Sequence, residues 1–231
     1  MSAIDTANIY EIFCSIQGEG LYAGQKQIFV RFAGCNLSCA YCDEPAARSG
    51  GERTALSAIK RIIKQLAFKE RARAVSFTGG EPLLQHKALK ELALYAGSLK
   101  LQTHLETNGV CHRELKEVLS AIDVVAADIK LPGSAGGALW KEHGKFLSLA
   151  PKKTFVKIVV TSDTAPAEFR KGVKLAASVC GRMPFYIQPV TPRGRLRPPS
   201  AEQLAGFYRF AVSKLEHVRI FPQLHKLWKV K

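Results

Sequence analysis

Three cysteines at spacings of four and three residues, Cys35-Asn36-Leu37-Ser38-Cys39-Ala40-Tyr41-Cys42, are followed directly by Asp43. A loop this short cannot spread its thiols, so all three sulfurs can converge on one small object. A structural zinc site or an ordinary iron–sulfur centre takes four protein ligands. Three thiolates leave one iron of a 4Fe–4S cluster open to a group that is not protein. Two blander readings compete. The cysteines could be reduced packing residues, or a zinc knuckle could borrow a fourth ligand. No Cys or His follows closely enough to complete a knuckle, and Cys14 lies far upstream.

The elements that would position this loop alternate in type. Strands are expected over 9–16, 28–32, 74–77, 101–106, 124–127, 155–160, 185–187 and 218–221. Helices are expected over 54–68, 86–96, 113–119, 138–149, 167–179 and 201–215. In the first of these, Ala55, Ile59, Ile62, Ile63 and Leu66 recur at three- and four-residue steps with lysines opposite. Loops are expected over 131–137 and 191–199, with disorder as the default for the tail carrying His225 and Lys226. Strand–helix alternation implies an α/β fold with a mostly parallel sheet and helices outside, open or curled into a partial barrel. Ligands then gather at the carboxyl ends of the strands. Thr78-Gly79-Gly80-Glu81, Glu106-Thr107-Asn108-Gly109, Asp128-Ile129-Lys130 and Gln188-Pro189-Val190 all stand there, as does the cysteine loop. Arg31 interrupts an apolar strand. It sits either on the exposed face of an edge strand or in a polar cavity, where its planar fork suits an anion.

A chain of 231 residues with 47% hydrophobic content can bury a core as one domain. No apolar run has membrane-spanning length, and Met1 to Asn8 shows no charged-then-apolar signal, so a cytoplasmic protein is expected. Six cysteines there suit metal or reactive roles better than disulfides, with Cys14, Cys111 and Cys180 as incidental thiols. The formal net charge of +15 could mark a nucleic-acid surface or serve an anionic substrate and cofactor. The basic residues are scattered, which favours solvated faces over nucleic acid. Arg193, Arg195 and Arg197 form the densest arginine cluster.

The cysteine loop after a strand, joined to Thr78-Gly79-Gly80-Glu81-Pro82, resembles the radical S-adenosylmethionine (radical SAM) superfamily over nearly the whole chain. That resemblance implies a partial (β/α)6-type barrel over 1–231, with a cluster loop at 33–44 and a short C-terminal extension. It implies a 4Fe–4S cluster on Cys35, Cys39 and Cys42 whose open iron chelates S-adenosylmethionine. Reduction of the cluster then cleaves the sulfonium and yields a 5′-deoxyadenosyl radical. Gly79 and Gly80 would allow close backbone approach, and Glu81 could accept from the methionine ammonium.

A narrower resemblance rests on Ile12 to Gly20, Gly24, Phe29 to Leu37, Phe77 to Leu84, Glu106 to Gly109, and His225-Lys226. These are similar to the 7-carboxy-7-deazaguanine synthase family. Such enzymes contract the ring of 6-carboxy-5,6,7,8-tetrahydropterin with loss of ammonia, feeding queuosine-type nucleosides. The resemblance implies substrate contacts at Ile16, Gln17, Gly18, Arg31, Thr78, His225 and Lys226. It implies S-adenosylmethionine contacts at Tyr41, Asp43, Gly79, Gly80, Glu81, Asp128, Ile129, Lys130, Ile187, Gln188, Pro189 and Val190. It also implies a homodimer and an external flavodoxin-like or ferredoxin-like one-electron donor. The family's magnesium-binding Thr or Ser is Glu44 here. Glutamate is an oxygen ligand for Mg2+, longer and charged, and a Mg2+ cofactor held at Glu44 is expected. The stretch from Glu44 to Glu52 leaves little room for an extra helix. Two other classes stay in view. One is a different radical SAM enzyme, such as a glycyl-radical activase or a peptide-modifying enzyme. The other is a non-catalytic iron–sulfur RNA-binding protein.

Overall fold

Two strands, β1 (Thr6–Ile16) and β2 (Lys26–Phe32), form an antiparallel ribbon, from which the computed structural model, describing residues 5–230, builds one sheet. The first four residues of the polar N-terminal stretch lie outside the described residues. At one edge β3 (Glu52–Ala55) pairs antiparallel with the start of β1. From β2 onward every pairing is parallel, through β4 (Ala74–Gly79), β5 (Gln102–Thr107), β6 (Val124–Asp128), β7 (Thr154–Val160), β8 (Phe185–Pro189) and β9 (Val218–Ile220). The order β3-β1-β2-β4-β5-β6-β7-β8-β9 leaves two free edges, so the sheet is an unclosed partial barrel. β2 is an interior strand, which removes the edge-strand reading of Arg31.

The helices are α1 (Leu56–Glu70), α2 (His86–Ser98), α3 (His112–Val118), α4 (Pro132–Ala135), α5 (Trp140–Leu147), α6 (Pro166–Val179), α7 (Ala201–Val212) and α8 (Leu224–Trp228). In α1 the periodic Leu56, Ile59 and Ile63 are buried; each such side chain stabilises by about 1.5–3 kcal/mol. Ser200 and Gln203 form a reciprocal capping box that starts α7. Three features differ from the expectation. Residues 52–55 extend as β3 before the first helix, because their backbone finds a partner in β1. The loop over 131–137 contains α4, with Pro132 at its start. The tail is ordered as α8, because the Leu224 N–H donates to the Gly18 carbonyl at 2.9 Å. After the cysteine loop there is only a single short turn, Pro45–Arg48. Among the described residues no helix is long and apolar enough to cross a membrane.

The pleat sorts the chemistry from the core. In β7, Val156, Ile158 and Val160 belong to the helix-packed core, while Phe155, Lys157 and Val159 line a cavity on the opposite face. The same alternation sends Val125, Ala127 and Ile129 to the core and Ala126, Asp128 and Lys130 to the cavity.

Candidate active site

The cavity lies on the concave face of the sheet, under the cysteine loop, and is lined by strand-end residues from β2 and β4 through β8. One wall is charged. Lys157 pairs with Glu19, whose other oxygen accepts from Gln188 at 3.1 Å and Gln223 at 2.9 Å. Burial alone would raise the Glu19 carboxyl. The Lys157 ammonium, that pair's hydrogen bond, the Gln223 amide and His225 outweigh it and hold the group at about 2. Lys130 Nζ reaches Asp128 Oδ2 at 2.7 Å and lies 5.1 Å from the centre of the Tyr41 ring. Burial would depress both lysines. The neighbouring anions, Asp128 for Lys130 and Glu19 with Asp128 for Lys157, instead raise them above the ordinary value, so both carry full charge.

The other wall is organised by neutral donors around one carboxylate. Glu106 accepts from Gln17 Nε2 at 2.7 Å, Ser76 Oγ at 3.0 Å and Thr78 Oγ1 at 2.8 Å. A carboxylate offers about four acceptor positions, which leaves about one for a ligand. Above it Arg31 Nε donates to Glu11 at 2.9 Å, and the guanidinium lies 5.7 Å from the Phe13 ring centre. Phe13 stacks on Phe29 at 5.1 Å.

The two walls are joined behind the cavity by His143. Its Nδ1–H donates to the Gly109 carbonyl at 3.0 Å, and its Nε2 accepts the Lys130 N–H at 3.1 Å. Burial lowers this imidazole to about 4, so it is neutral and fixed in one tautomer. Glu81 is a second tie. It is fully buried, and its carboxyl accepts from the N–H groups of Leu83 (3.0 Å) and Asn108 (2.8 Å) and from the Thr107 hydroxyl (2.9 Å). Desolvation raises it to about 7 against those hydrogen bonds. Gly79 and Gly80 are demanded by the chain itself. A Cβ at Gly79 would stand 2.1 Å from the Phe32 carbonyl oxygen, and one at Gly80 2.1 Å from that of Gly34. They let β4 press against the root of the cysteine loop.

Cys35, Cys39 and Cys42 all face the cavity, and burial raises the first two thiols. Thiolates there suit a bound cation, so the set fits a three-cysteine cluster. Two buried atoms on the charged wall, Tyr41 Oη and Asp128 Oδ1, have no hydrogen-bond partner among the described residues. Buried polar groups ask for a partner, and a zwitterionic cofactor beside the cluster would provide one. Glu44 is placed differently from the expectation. It lies off the cavity wall, because Pro45 turns the chain into a short helix directly after it. The donors that do converge are Glu19, Asp43 and His225, with ligand atoms within 4.8 Å of one another. Glu19 is already neutralised by Lys157.

The cavity gathers Ile16, Gln17, Gly18, Arg31, Tyr41, Asp43, Thr78, Gly79, Gly80, Asp128, Lys130, Gln188, Val190 and His225. Ile129 and Ile187 turn into the core by strand alternation. Pro189 and Glu81 stay off the wall, and Lys226 is exposed. Sequence reasoning missed Glu19, Lys157, Gln223 and His143, and named Glu106 only as part of a strand-end word. Lys157 had a signal, a lone charge inside the apolar Phe155 to Val160.

Such an unclosed barrel, with three thiols and unpartnered buried atoms at the strand ends, defines a radical SAM protein, and residues 29–132 match the Radical SAM superfamily. Two relatives, each carrying the name 7-carboxy-7-deazaguanine synthase, extend the match. The one from Geobacter sulfurreducens is 36% identical, covering 95% of this chain and 96% of its own. The one from Methanothermobacter thermautotrophicus is 42% identical over the same shares. The chain belongs to the 7-carboxy-7-deazaguanine synthase family. Its fold is also that of QueE from Escherichia coli, with a TM-score of 0.64, 19% identity and 94% of each chain covered.

Proposed function

We propose that this chain converts 6-carboxy-5,6,7,8-tetrahydropterin into 7-carboxy-7-deazaguanine with loss of ammonia. The observation that carries the reading is full-length kinship with that family, together with one cavity that holds three thiols on one side and a donor-ordered carboxylate on the other. When bound to Cys35, Cys39 and Cys42, the cluster would supply one electron to S-adenosylmethionine and so a hydrogen-abstracting radical. Substrate and products balance without a net oxidant, so the protein's task is placement and exclusion of water.

Asp128 Oδ1, the Tyr41 hydroxyl and Gln188 would receive S-adenosylmethionine on the charged wall, where Lys130 and Lys157 fix the local charge. Across from them the pterin is a flat, polar heterocycle with an amidine-like donor edge. Glu106 retains acceptor capacity for that edge, and Gln17 and Thr78, held by the same carboxylate, flank it. Arg31 suits the substrate carboxylate, which a guanidinium meets through two parallel hydrogen bonds. Glu11 keeps its Nε oriented meanwhile. Phe13 and Phe29 provide an apolar shelf for the ring. The reading includes an external one-electron donor, a homodimer and a cytoplasmic location.

An activating-enzyme reading has only fold support: a domain of pyruvate-formate lyase-activating enzyme covers 64% of this chain with a TM-score of 0.53. The test is anaerobic reconstitution with iron and sulfide, a cluster absorbance spectrum, and mass spectrometry after incubation with S-adenosylmethionine, reductant and the carboxypterin. The deazaguanine acid is the expected product. A cluster and cofactor cleavage without it would sink the substrate assignment. Cofactor cleavage surviving Cys39→Ala would sink the cluster ligands.

A further inference from the structure

The densest arginine cluster of the chain is built onto the cysteine loop. Residues 191–199 fold into a tight hairpin in which the Leu196 N–H donates to the Arg193 carbonyl at 3.0 Å, with Gly194 at a φ of +56°. Arg193 Nη1 reaches the carbonyl oxygens of Cys42 at 3.5 Å and Asp43 at 3.4 Å. Leu196 packs on Tyr41, Val159 and Val190, a cluster that Cys39 also joins. The hairpin therefore touches the cysteine loop directly at Cys42 and shares an apolar cluster with Cys39. Arg197 braces the turn from within, donating to the carbonyls of Gly194 at 2.7 Å and Leu196 at 3.0 Å. Arg195 makes no hydrogen bond or ion pair among the described residues and stands in solvent. Asp43 lies under the hairpin, and Asp163 beyond Ser162, whose N–H donates to the Arg197 carbonyl at 2.9 Å. Neither acid pairs with an arginine of the hairpin.

We propose that this hairpin is the docking surface for an acidic one-electron carrier protein that reduces the cluster. The proposal rests on the reading of the three cysteines as cluster ligands. An electron has to enter from outside, and a carrier seated on 191–199 would stand against the loop that carries the cluster. Carrier encounters are small and transient, and opposite charge raises their on-rate more than it raises tight affinity. Three arginines in five positions, within a formal net charge of +15, supply that field. RNA would also meet arginines. Single-stranded RNA binding, however, uses an extended basic track with aromatic rings for stacking, and residues 191–199 contain no aromatic side chain.

The experiment compares wild type, Arg195→Glu and Arg195→Ala as cluster-loaded enzymes. S-adenosylmethionine cleavage is driven either by a reduced acidic flavodoxin or by dithionite. Expected are a rise in the KM for flavodoxin of about tenfold for Arg195→Glu and about threefold for Arg195→Ala. The salt dependence should be weaker, and the dithionite-driven rate and cluster absorbance unchanged. An unchanged flavodoxin KM in both variants overturns the proposal. So does loss of tRNA binding in a gel shift with carrier kinetics intact, which would assign the hairpin to RNA. Absence of any cluster spectrum in the wild type overturns this proposal and the cluster reading together. A wild type that cleaves S-adenosylmethionine with flavodoxin but makes no deazaguanine leaves the docking result standing and removes only the substrate assignment.

Discussion

The two walls of the cavity do opposite kinds of work. The β6–β8 wall is a row of fixed charges, Glu19, Lys157, Asp128 and Lys130, with two unpartnered buried atoms left over. The Glu106 wall has one carboxylate ordering an amide and two hydroxyls, with the Arg31–Glu11 pair above. A row of opposite charges neutralises itself and keeps its geometry whatever binds, so it suits a charged cofactor common to many reactions. A hydrogen-bond pattern reads donors and acceptors on one ring and suits a particular substrate. Damage to one wall should therefore show in the KM of one ligand.

The largest break is Glu106→Ala. It removes the acceptor of three donors at once, and Ser76, Thr78 and Gln17 are all buried. The variant loses both the acceptor left for the pterin edge and the placement of Gln17 and Thr78, so kcat/KM for the pterin should fall about a thousandfold. The KM for S-adenosylmethionine should stay within about threefold. If both ligands weaken equally, the walls are not separate. The mirror experiment is Asp128→Asn, which keeps shape but leaves Lys130 and Lys157 facing each other without their shared anion. It should raise the KM for S-adenosylmethionine by about thirtyfold, with pterin affinity little changed. Arg31→Lys is smaller. A point charge replaces a fork, and the pterin KM should rise about tenfold with kcat retained. A pterin lacking the carboxylate should show no such difference between the two enzymes.

This division explains what the sequence could reveal. The strand-end words were legible because an α/β sheet puts its ligand chemistry at carboxyl ends. Arg31 declared itself as a charged residue in an apolar strand, and Thr78 as the first residue of a strand-end word. Ile129 and Ile187 put their side chains in the core, since a motif names consecutive residues whereas a pleated strand offers only alternate ones to a cavity. A glycine-rich word does not show that the Glu81 carboxyl is bonded by the next loop, at Thr107 and Asn108. β3 was invisible because Glu52 to Ala55 has neither alternation nor an apolar run; only its pairing with β1 makes it a strand. His143 sits in a stretch read merely as helix. Its partners, Gly109 and Lys130, lie 34 and 13 positions away, beyond any local pattern.

His143 gives the subtlest test, because it joins the two walls. Its folded value of about 4 lies below the ordinary 6.5, and the cause is burial. A base depressed by folding stabilises the fold fully above its unfolded value, and that contribution is lost as pH falls from 6.5 toward 4. The full difference is about 3 kcal/mol. His104, also lowered by burial to about 4, acts in the same direction. Glu81 opposes both. Raised by burial to about 7, it favours the fold below its unfolded value of 4.5 and loses that contribution as pH rises toward 7. The wild-type curve is thus a sum of contrary slopes, and the informative quantity is the difference between wild type and His143→Gln. Glutamine cannot gain a proton in this range. The variant should start less stable at pH 7.5 and lose less on acidification, so the two chemical-denaturation curves converge between pH 6.5 and pH 4. Protonation also removes the acceptor for the Lys130 N–H, which belongs to the charged wall. The KM for S-adenosylmethionine should therefore rise on acidification before that for the pterin, and only in the wild type. Parallel stability curves would mean that His143 takes up its proton in the fold as it does in the unfolded chain, and that the walls are joined by some other contact.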